Sequence, residues 1–112
     1  MEVKGEAKLL RIFIGESDKI KNIPVYEAIV LKARERNLAG ATVTKGITGF
    51  GKHSVIHTSK LLALSEDMPI IVEIVDEEKK IEDFLEIIHE LFDQSGSNGL
   101  ITIEKAQVIK YV

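Results

Sequence analysis

The pattern of apolar and polar positions predicts a strand, a helix and a second strand in the first part of the chain. Residues 8–14 place apolar side chains on two alternating faces, as a strand does. Pro24 suits the first turn of a helix, and apolar residues then recur at helical spacing until the helix stops before Gly40. Residues 41–44 alternate alanine or valine with threonine, which is typical of a half-buried strand.

The second part of the chain repeats this order of strand, helix and strand. Residues 69–76 form the clearest strand of the sequence, and apolar residues then keep helical spacing for three turns. We expect Asp76 to cap this helix, because a carboxylate can accept the free N–H groups of its first turn. After a turn at residues 94–99, residues 100–104 predict a fourth strand and residues 107–112 a short last strand.

A long loop excursion is predicted between the two halves, at about residues 46–66. Within it, residues 55–67 fit a helical face in one part and a strand in another, and both interpretations stay open. The order of elements is therefore β-α-β-β-α-β with a terminal strand. Right-handed crossovers then predict one α+β domain over residues 1–112, a ferredoxin-like sandwich with an antiparallel sheet and both helices on one face.

The second face of this predicted sheet is unexpectedly apolar. Two helices cover one face, so a monomer would need polar residues on the other. The first strand and its expected neighbour instead carry apolar side chains there, namely Leu9, Phe13, Ile71 and Val75. Arg11 and Glu73 would pair between them. Such a patch is typical of a subunit interface, and the alternative is that the loop excursion folds over it.

Composition limits the classes of protein to which this chain can belong. Its 112 residues, 45% apolar and 29% charged, suit one globular domain. The net charge of −3 argues against a nucleic-acid-binding surface, which needs a basic excess. Without cysteine, disulfides, thiolate zinc sites and cysteine nucleophiles are excluded. Because no apolar run approaches the ~20 residues of a membrane span and the start lacks a signal-peptide core, we expect a cytoplasmic protein.

Glycines and lysines supply the candidate binding chemistry. Three of residues 46–51 are glycine, and Lys52 follows them. Such a loop can adopt positive φ and present backbone N–H groups to an anion, whereas the alternative is a glycine-rich turn without a ligand. A second glycine loop spans residues 96–99. In this fold both loops and Lys110 would meet at a sheet edge, which becomes a cleft between subunits in an oligomer.

Metal binding and catalysis have weaker support in the sequence. His53 and His57 are four residues apart and can share a helix face around a metal, but no strong third ligand lies nearby and two solvated loop histidines are the preferred interpretation. No motif sets a nucleophile beside a base, and no Walker A or dinucleotide fingerprint is present. We therefore expect neither a catalytic nor a metal-binding residue.

The segments GATVTKGITGFGK at residues 40–52, MPIIVEIVDEE at residues 68–78 and AQVIKY at residues 106–111 resemble the PII signalling proteins. Nearly the whole chain is still more similar to a PII-like family of uncharacterised small proteins. Members of that family carry counterparts of LLRIFIGE at residues 9–16 and of the GFG…IHT segment at residues 49–58.

This resemblance implies a ferredoxin-like homotrimer that binds an adenine nucleotide, AMP, ADP or ATP, in clefts between subunits, and that requires no cofactor. It matches Thr42 to a PII threonine that lies near the adenine base of the nucleotide. It matches Lys52 to the basic residue at the start of the PII regulatory loop, and Lys110 to a basic residue that reaches phosphate. The nucleotide-binding residues expected overall are Thr42, Gly46, Gly49, Phe50, Gly51, Lys52, Gly96, Gly99 and Lys110. The turn at residues 95–99 lacks the lysine of PII, which favours a nucleotide with fewer phosphates.

The function expected from the resemblance is therefore that of a non-enzymatic regulatory protein. Its nucleotide would order the long loop, and the loop would dock on an unknown protein partner, such as a membrane transporter. Two alternatives stay open. One is a metal-binding trimer of the copper-tolerance type, supported by His53 and His57 alone, and the other is a structural trimer without a ligand.

Overall fold

The computed structural model describes residues 5–50, 57–58 and 68–112, with the backbone alone described at 57–58. Gly51, Lys52, His53 and most of the predicted excursion therefore lie outside the described residues. The elements in chain order are β1 (Gly5–Gly15), β2 (Lys19–Ile20), β3 (Ile23–Pro24), α1 (Val25–Glu35), β4 (Thr42–Lys45), β5 (Thr48–Gly49), β6 (His57–Thr58), β7 (Pro69–Asp76), α2 (Glu78–Ser95) and β8 (Leu100–Val108).

Four of these strands form the central sheet, in the order β4-β7-β1-β8. Every neighbouring pair is antiparallel. Helices α1 and α2 pack together and against the sheet. The predicted α+β sandwich of the ferredoxin-like type is thereby confirmed. Two short ladders, β2 with β3 and β5 with β6, lie outside this sheet.

The core lies between the helices and one face of the sheet, because alternate residues of β1 and β7 point toward the helices. Its large fully buried side chains are apolar, and each contributes roughly 1.5–3 kcal/mol through burial. The largest of them are Phe84, Leu10, Ile12, Ile29, Met68, Ile74, Ile81 and Ile88.

Asp76 does not cap α2, contrary to the prediction. Glu77 occupies the N-cap position, without a capping bond from its side chain. Asp76 is the last residue of β7 and continues the alternation that points every second side chain toward the helices. Its carboxylate is therefore fully buried beneath the loop that follows α1.

The predicted short last strand at residues 107–112 is also wrong. A single strand, β8, continues from Leu100 to Val108 without the expected break. The reason is that β1 begins at Gly5, and Gly5 pairs with Val108 at the far end of the ladder. None of the helices in the described ranges has the length and apolar character that crossing a bilayer requires.

Candidate functional site

The sheet face opposite the helices carries the apolar residues that were predicted for it, and all are half-buried: Leu9, Phe13, Ile71 and Val75. Arg11 lies at the centre of this face, directly opposite Glu73 in the β1–β7 register. Its Nε donates to Glu73 Oε2 at 2.9 Å, and its Nη1 donates to Glu104 Oε1 at 2.6 Å. The predicted pair of Arg11 with Glu73 is thus confirmed, and Glu104 is a further partner that the sequence did not indicate.

The hydrogen bond to Glu73, followed in importance by the charges of both carboxylates, raises the pKa of Arg11. The guanidinium therefore stays charged, and it holds the Glu73 carboxylate at a fixed place on the sheet. The side chains of Arg11 and Glu73 are 33% and 35% exposed, so solvent screens their attraction. The pair orients Glu73 more than it stabilises the fold.

A pocket of about 470 Å³ opens at the end of this face where β7 and β8 finish. Its floor is apolar and comes from β1, β7 and β8. The loop after α1 and the start of β4 form one wall, and the segment after β8 forms the other. The residues that line it are Leu9, Ala39, Gly40, Ala41, Thr42, Glu73, Val75, Val108, Lys110 and Tyr111.

The wall formed by the loop after α1 is held from two sides. The N–H of Ala39 donates to Asp76 Oδ2 at 2.9 Å, while Asp76 Oδ1 accepts from the N–H of Glu77 at 2.7 Å. On the pocket side, the hydroxyl of Tyr111 donates to the carbonyl oxygen of Ala39. The polar backbone of Ala39 is therefore satisfied at both ends, which fixes this wall.

Sequence reasoning missed the roles of both residues that hold Ala39. The role of Asp76 could have been found, because the alternation of β7 points its side chain toward the helices, and a buried carboxylate needs hydrogen-bond donors there. Tyr111 carried no such signal, since it lies beyond the last strand and its partner is 72 residues away.

Two of the predicted site residues meet in this pocket. Thr42 begins β4 and pairs in register with Glu73, so its side chain belongs to the open face. Lys110 follows the end of β8 and lines the same pocket. A hydroxyl and an ammonium group thus flank an apolar floor, a combination that suits a ligand with one flat apolar part and one anionic part.

The predicted glycines of the first loop lie at the opposite end of the sheet. The N–H of Gly46 donates to the carbonyl of Pro69 at 2.7 Å, and a Cβ at Gly46 would lie 2.7 Å from the Pro69 ring. Neither Gly46 nor Gly49 has positive φ, contrary to the expectation for this loop. Close approach to Pro69 therefore explains the glycine at position 46. The neighbouring Phe50 is 72% exposed.

The glycines of the second loop also have structural reasons. Gly96 ends α2 in the left-handed region, with φ of 67°, and its N–H donates to the carbonyl of Phe92. At Gly99 a Cβ would lie 2.6 Å from the carbonyl oxygen of Phe13. Packing of the turn against β1 and α2 thus requires a glycine at position 99 whether or not a ligand binds there.

Lys110 and the second glycine loop lie too far apart to share one ligand within a chain. Gly99 immediately precedes β8 and Lys110 follows its end. The nine residues of this strand span roughly 30 Å at about 3.4 Å per residue. A site that uses both groups must therefore combine them from different chains.

The metal-binding alternative gains no support from the described residues. Among them, no three histidine or acidic side chains lie close enough together to hold a metal ion. His53 lies outside the described residues, and only the backbone of His57 is described, on β6.

Comparisons with known proteins show the family and the fold. The DUF190 family model, described as "Uncharacterized ACR", matches residues 7–108. The chain belongs to the DUF190 family. A UPF0166 protein of Aquifex aeolicus (strain VF5) is 45% identical over 102 residues, which cover 91% of this DUF190 chain and 92% of that relative. The UPF0166 protein of Methanocaldococcus jannaschii is 34% identical over 105 residues, or 94% of each chain.

Among solved structures, the chain is similar to CPII, a nitrogen regulatory PII-like protein from Thiomonas intermedia K12. The match has a TM-score of 0.70 at 19% identity and covers 94% of this chain and 90% of CPII. That structure of CPII contains ADP, AMP and bicarbonate. The likeness confirms the PII-like fold that the sequence resemblance implied for this DUF190 protein.

Proposed function

We propose that this DUF190 protein is a PII-like regulatory protein that binds an adenine nucleotide between subunits. The observation that carries the proposal is the meeting of Thr42 and Lys110 at one pocket of a PII-like fold. The resemblance had assigned these two residues to opposite ends of a nucleotide. The presence of ADP and AMP in the similar protein CPII supports the same ligand class.

The pocket suits the two chemical parts of a nucleotide. Leu9, Val75 and Val108 offer an apolar surface to the flat base, and the Thr42 hydroxyl supplies one hydrogen bond beside it. Lys110 is the one cation among the described residues that line the pocket, and it provides a charge for phosphate. A single lysine favours AMP or ADP over ATP at this site.

The glycine loops complete the site from a neighbouring copy. Because they lie at the far end of the sheet from Lys110, one nucleotide can contact both only across an interface. The half-buried apolar face supports association of the sheets in a homotrimer. In that assembly the excursion at about residues 46–66 extends from the site and docks on a partner protein, such as a transporter. The role is regulatory rather than enzymatic, in the cytoplasm.

The test is calorimetric titration of the purified protein with AMP, ADP and ATP, with Lys110→Ala as the matched variant. A charge-assisted hydrogen bond contributes about 1.5–3 kcal/mol, so Lys110→Ala weakens the bound nucleotide by roughly one to two orders of magnitude. Its oligomeric mass and melting temperature stay unchanged, because Lys110 is exposed.

Two results would contradict the proposal. Wild-type protein that gives no heat with any of the three nucleotides at millimolar concentration would leave the structural trimer as the better interpretation. Binding heat with a divalent metal, together with none for any nucleotide, would favour the metal-binding trimer of the copper-tolerance type.

A further inference from the structure

The segment after β8 is fixed by one side chain although most of it faces solvent. Ile109 is 80% exposed and Val112 is fully exposed. Between them, the hydroxyl of Tyr111 reaches across the pocket and donates to the carbonyl of Ala39. Lys110, the cation of the pocket, therefore lies between the end of β8 and this hydrogen bond.

The acceptor of that bond is itself held in place. Ala39 donates its N–H to Asp76, whose carboxylate is 0% exposed and also accepts from Glu77 at the end of β7. Tyr111 is thus connected through Ala39 to a buried group of the sheet. A side chain that ties an irregular segment to such a fixed point restricts the backbone on both sides of it.

We propose that Tyr111 is a positioning residue that holds the Lys110 ammonium over the pocket. This inference rests on the proposed function. Lysine loses much rotamer and backbone freedom when it binds phosphate, and a segment without regular structure adds to that loss. If Tyr111 confines the segment beforehand, a larger fraction of molecules is competent to bind, and the apparent dissociation constant falls in proportion.

The contact itself can be measured without a nucleotide. Trypsin cleaves after lysine, and we expect it to cleave the bond after Lys110 faster when the segment is released from Ala39, because a protease needs a locally mobile backbone. Tyr111→Phe removes the hydroxyl and keeps the ring, so cleavage at this bond should accelerate roughly two- to tenfold. Tyr26→Phe, the same change at the other tyrosine, on α1, should cleave at the wild-type rate.

The effect on Lys110 is measured by a double-mutant cycle with ADP as the ligand. Tyr111→Phe alone should weaken ADP roughly two- to tenfold, and Lys110→Ala alone should weaken it further. If Tyr111 acts through Lys110, the double variant binds ADP no more weakly than Lys110→Ala. A purely structural role would instead multiply the two losses.

The other possible results of the trypsin and ADP experiments each contradict one step of the proposal. Equal trypsin rates in wild type and Tyr111→Phe would show that the hydroxyl does not hold the segment. Faster cleavage with unchanged ADP affinity, or multiplied losses in the cycle, would show that Tyr111 does not position Lys110. If wild-type protein binds none of AMP, ADP and ATP, the proposed function fails and the positioning role fails with it, while the trypsin rates still show whether the segment is held.

Discussion

At the scale of single residues, Asp76 illustrates how a buried carboxylate can organise a pocket that it does not line. It accepts two backbone N–H groups, one from the loop after α1 and one from the start of α2. With 0% exposure it has no access to water, so these bonds are its only means of replacing hydration among the described residues. Its contribution is to hold Ala39, and through Ala39 the pocket wall.

Replacing Asp76 should therefore destabilise the fold. Asp76→Ala removes the acceptor of two part-buried backbone hydrogen bonds, and each such bond contributes about 0.5–1.5 kcal/mol. Asp76→Asn keeps one carbonyl oxygen and should lose less. The measurement is thermal unfolding, in which ~1 kcal/mol lowers the melting temperature by about 4–8 °C for a domain of up to 100 residues.

Asp93→Ala, at an exposed position of α2, is the matched control and should change stability by no more than about 0.5 kcal/mol. Melting of Asp76→Ala within a degree of that control would show that the two N–H groups find other acceptors.

The ion pair of Arg11 with Glu73 could be predicted from the sequence, whereas the hydrogen bond from Tyr111 to Ala39 could not. Alternation along two neighbouring strands fixes which side chains share a face, and Arg11 and Glu73 follow from it directly. Tyr111 lies in a segment with no periodicity, and its acceptor is a backbone carbonyl that any residue would provide. No pattern of residue types encodes such a contact.

At the scale of elements, the glycine loops show that a glycine expected at a ligand can also have a structural reason. The nucleotide role of both loops stays a prediction, while Gly46 and Gly99 each lie close to another part of the protein. Gly46 leaves room for Pro69, and Gly99 leaves room for the backbone of β1. A glycine signals close approach of something, but the sequence does not say whether this is a phosphate or a neighbouring strand.

Gly99→Ala should destabilise the protein in the absence of any ligand. The added Cβ would lie 2.6 Å from the carbonyl oxygen of Phe13, and a backbone atom in the sheet cannot move aside cheaply. Overpacking of this kind costs about 1–3 kcal/mol. Urea denaturation should show a lower midpoint with an unchanged slope.

Gly40→Ala is the control, because nothing lies within 4 Å of a Cβ at Gly40. Its stability should equal that of the wild type or exceed it slightly. If Gly99→Ala and Gly40→Ala unfold at the same urea concentration, the turn before β8 has more room than the structure indicates.

The type and order of the main elements were predictable because each carries its own periodicity. The last strand was predicted wrongly because its length depends on the strand with which it pairs. Strand β8 is continuous because β1 extends to Gly5 and provides a partner as far as Val108. The sequence predicted two strands, at residues 100–104 and 107–112, because it does not reveal that extension.

At the scale of the whole molecule, the open sheet face combines an apolar surface with a central ionic cluster. Phe13 and Val75 are half-buried in a single chain, and further cover would have to come from outside the described residues. Arg11 with Glu73 and Glu104 lies between them, already paired within the chain. Each of these three side chains has an ion-pair partner within the chain before association, and the cluster carries one net negative charge that a second copy covering the face has to accommodate.

Association through this face predicts a mass three times the 12.5 kDa of the chain, measured by light scattering at micromolar concentration. Phe13→Asp or Val75→Asp places a carboxylate in the apolar part of that interface, at a cost of several kcal/mol in the assembled state. Either variant should dissociate or aggregate. Leu31→Asp adds the same charge on α1, where the side chain is already 53% exposed, and should keep the trimer mass. A monomeric wild type, or a trimer that tolerates aspartate at both interface positions, would remove the open sheet face as the contact and with it the cleft between subunits.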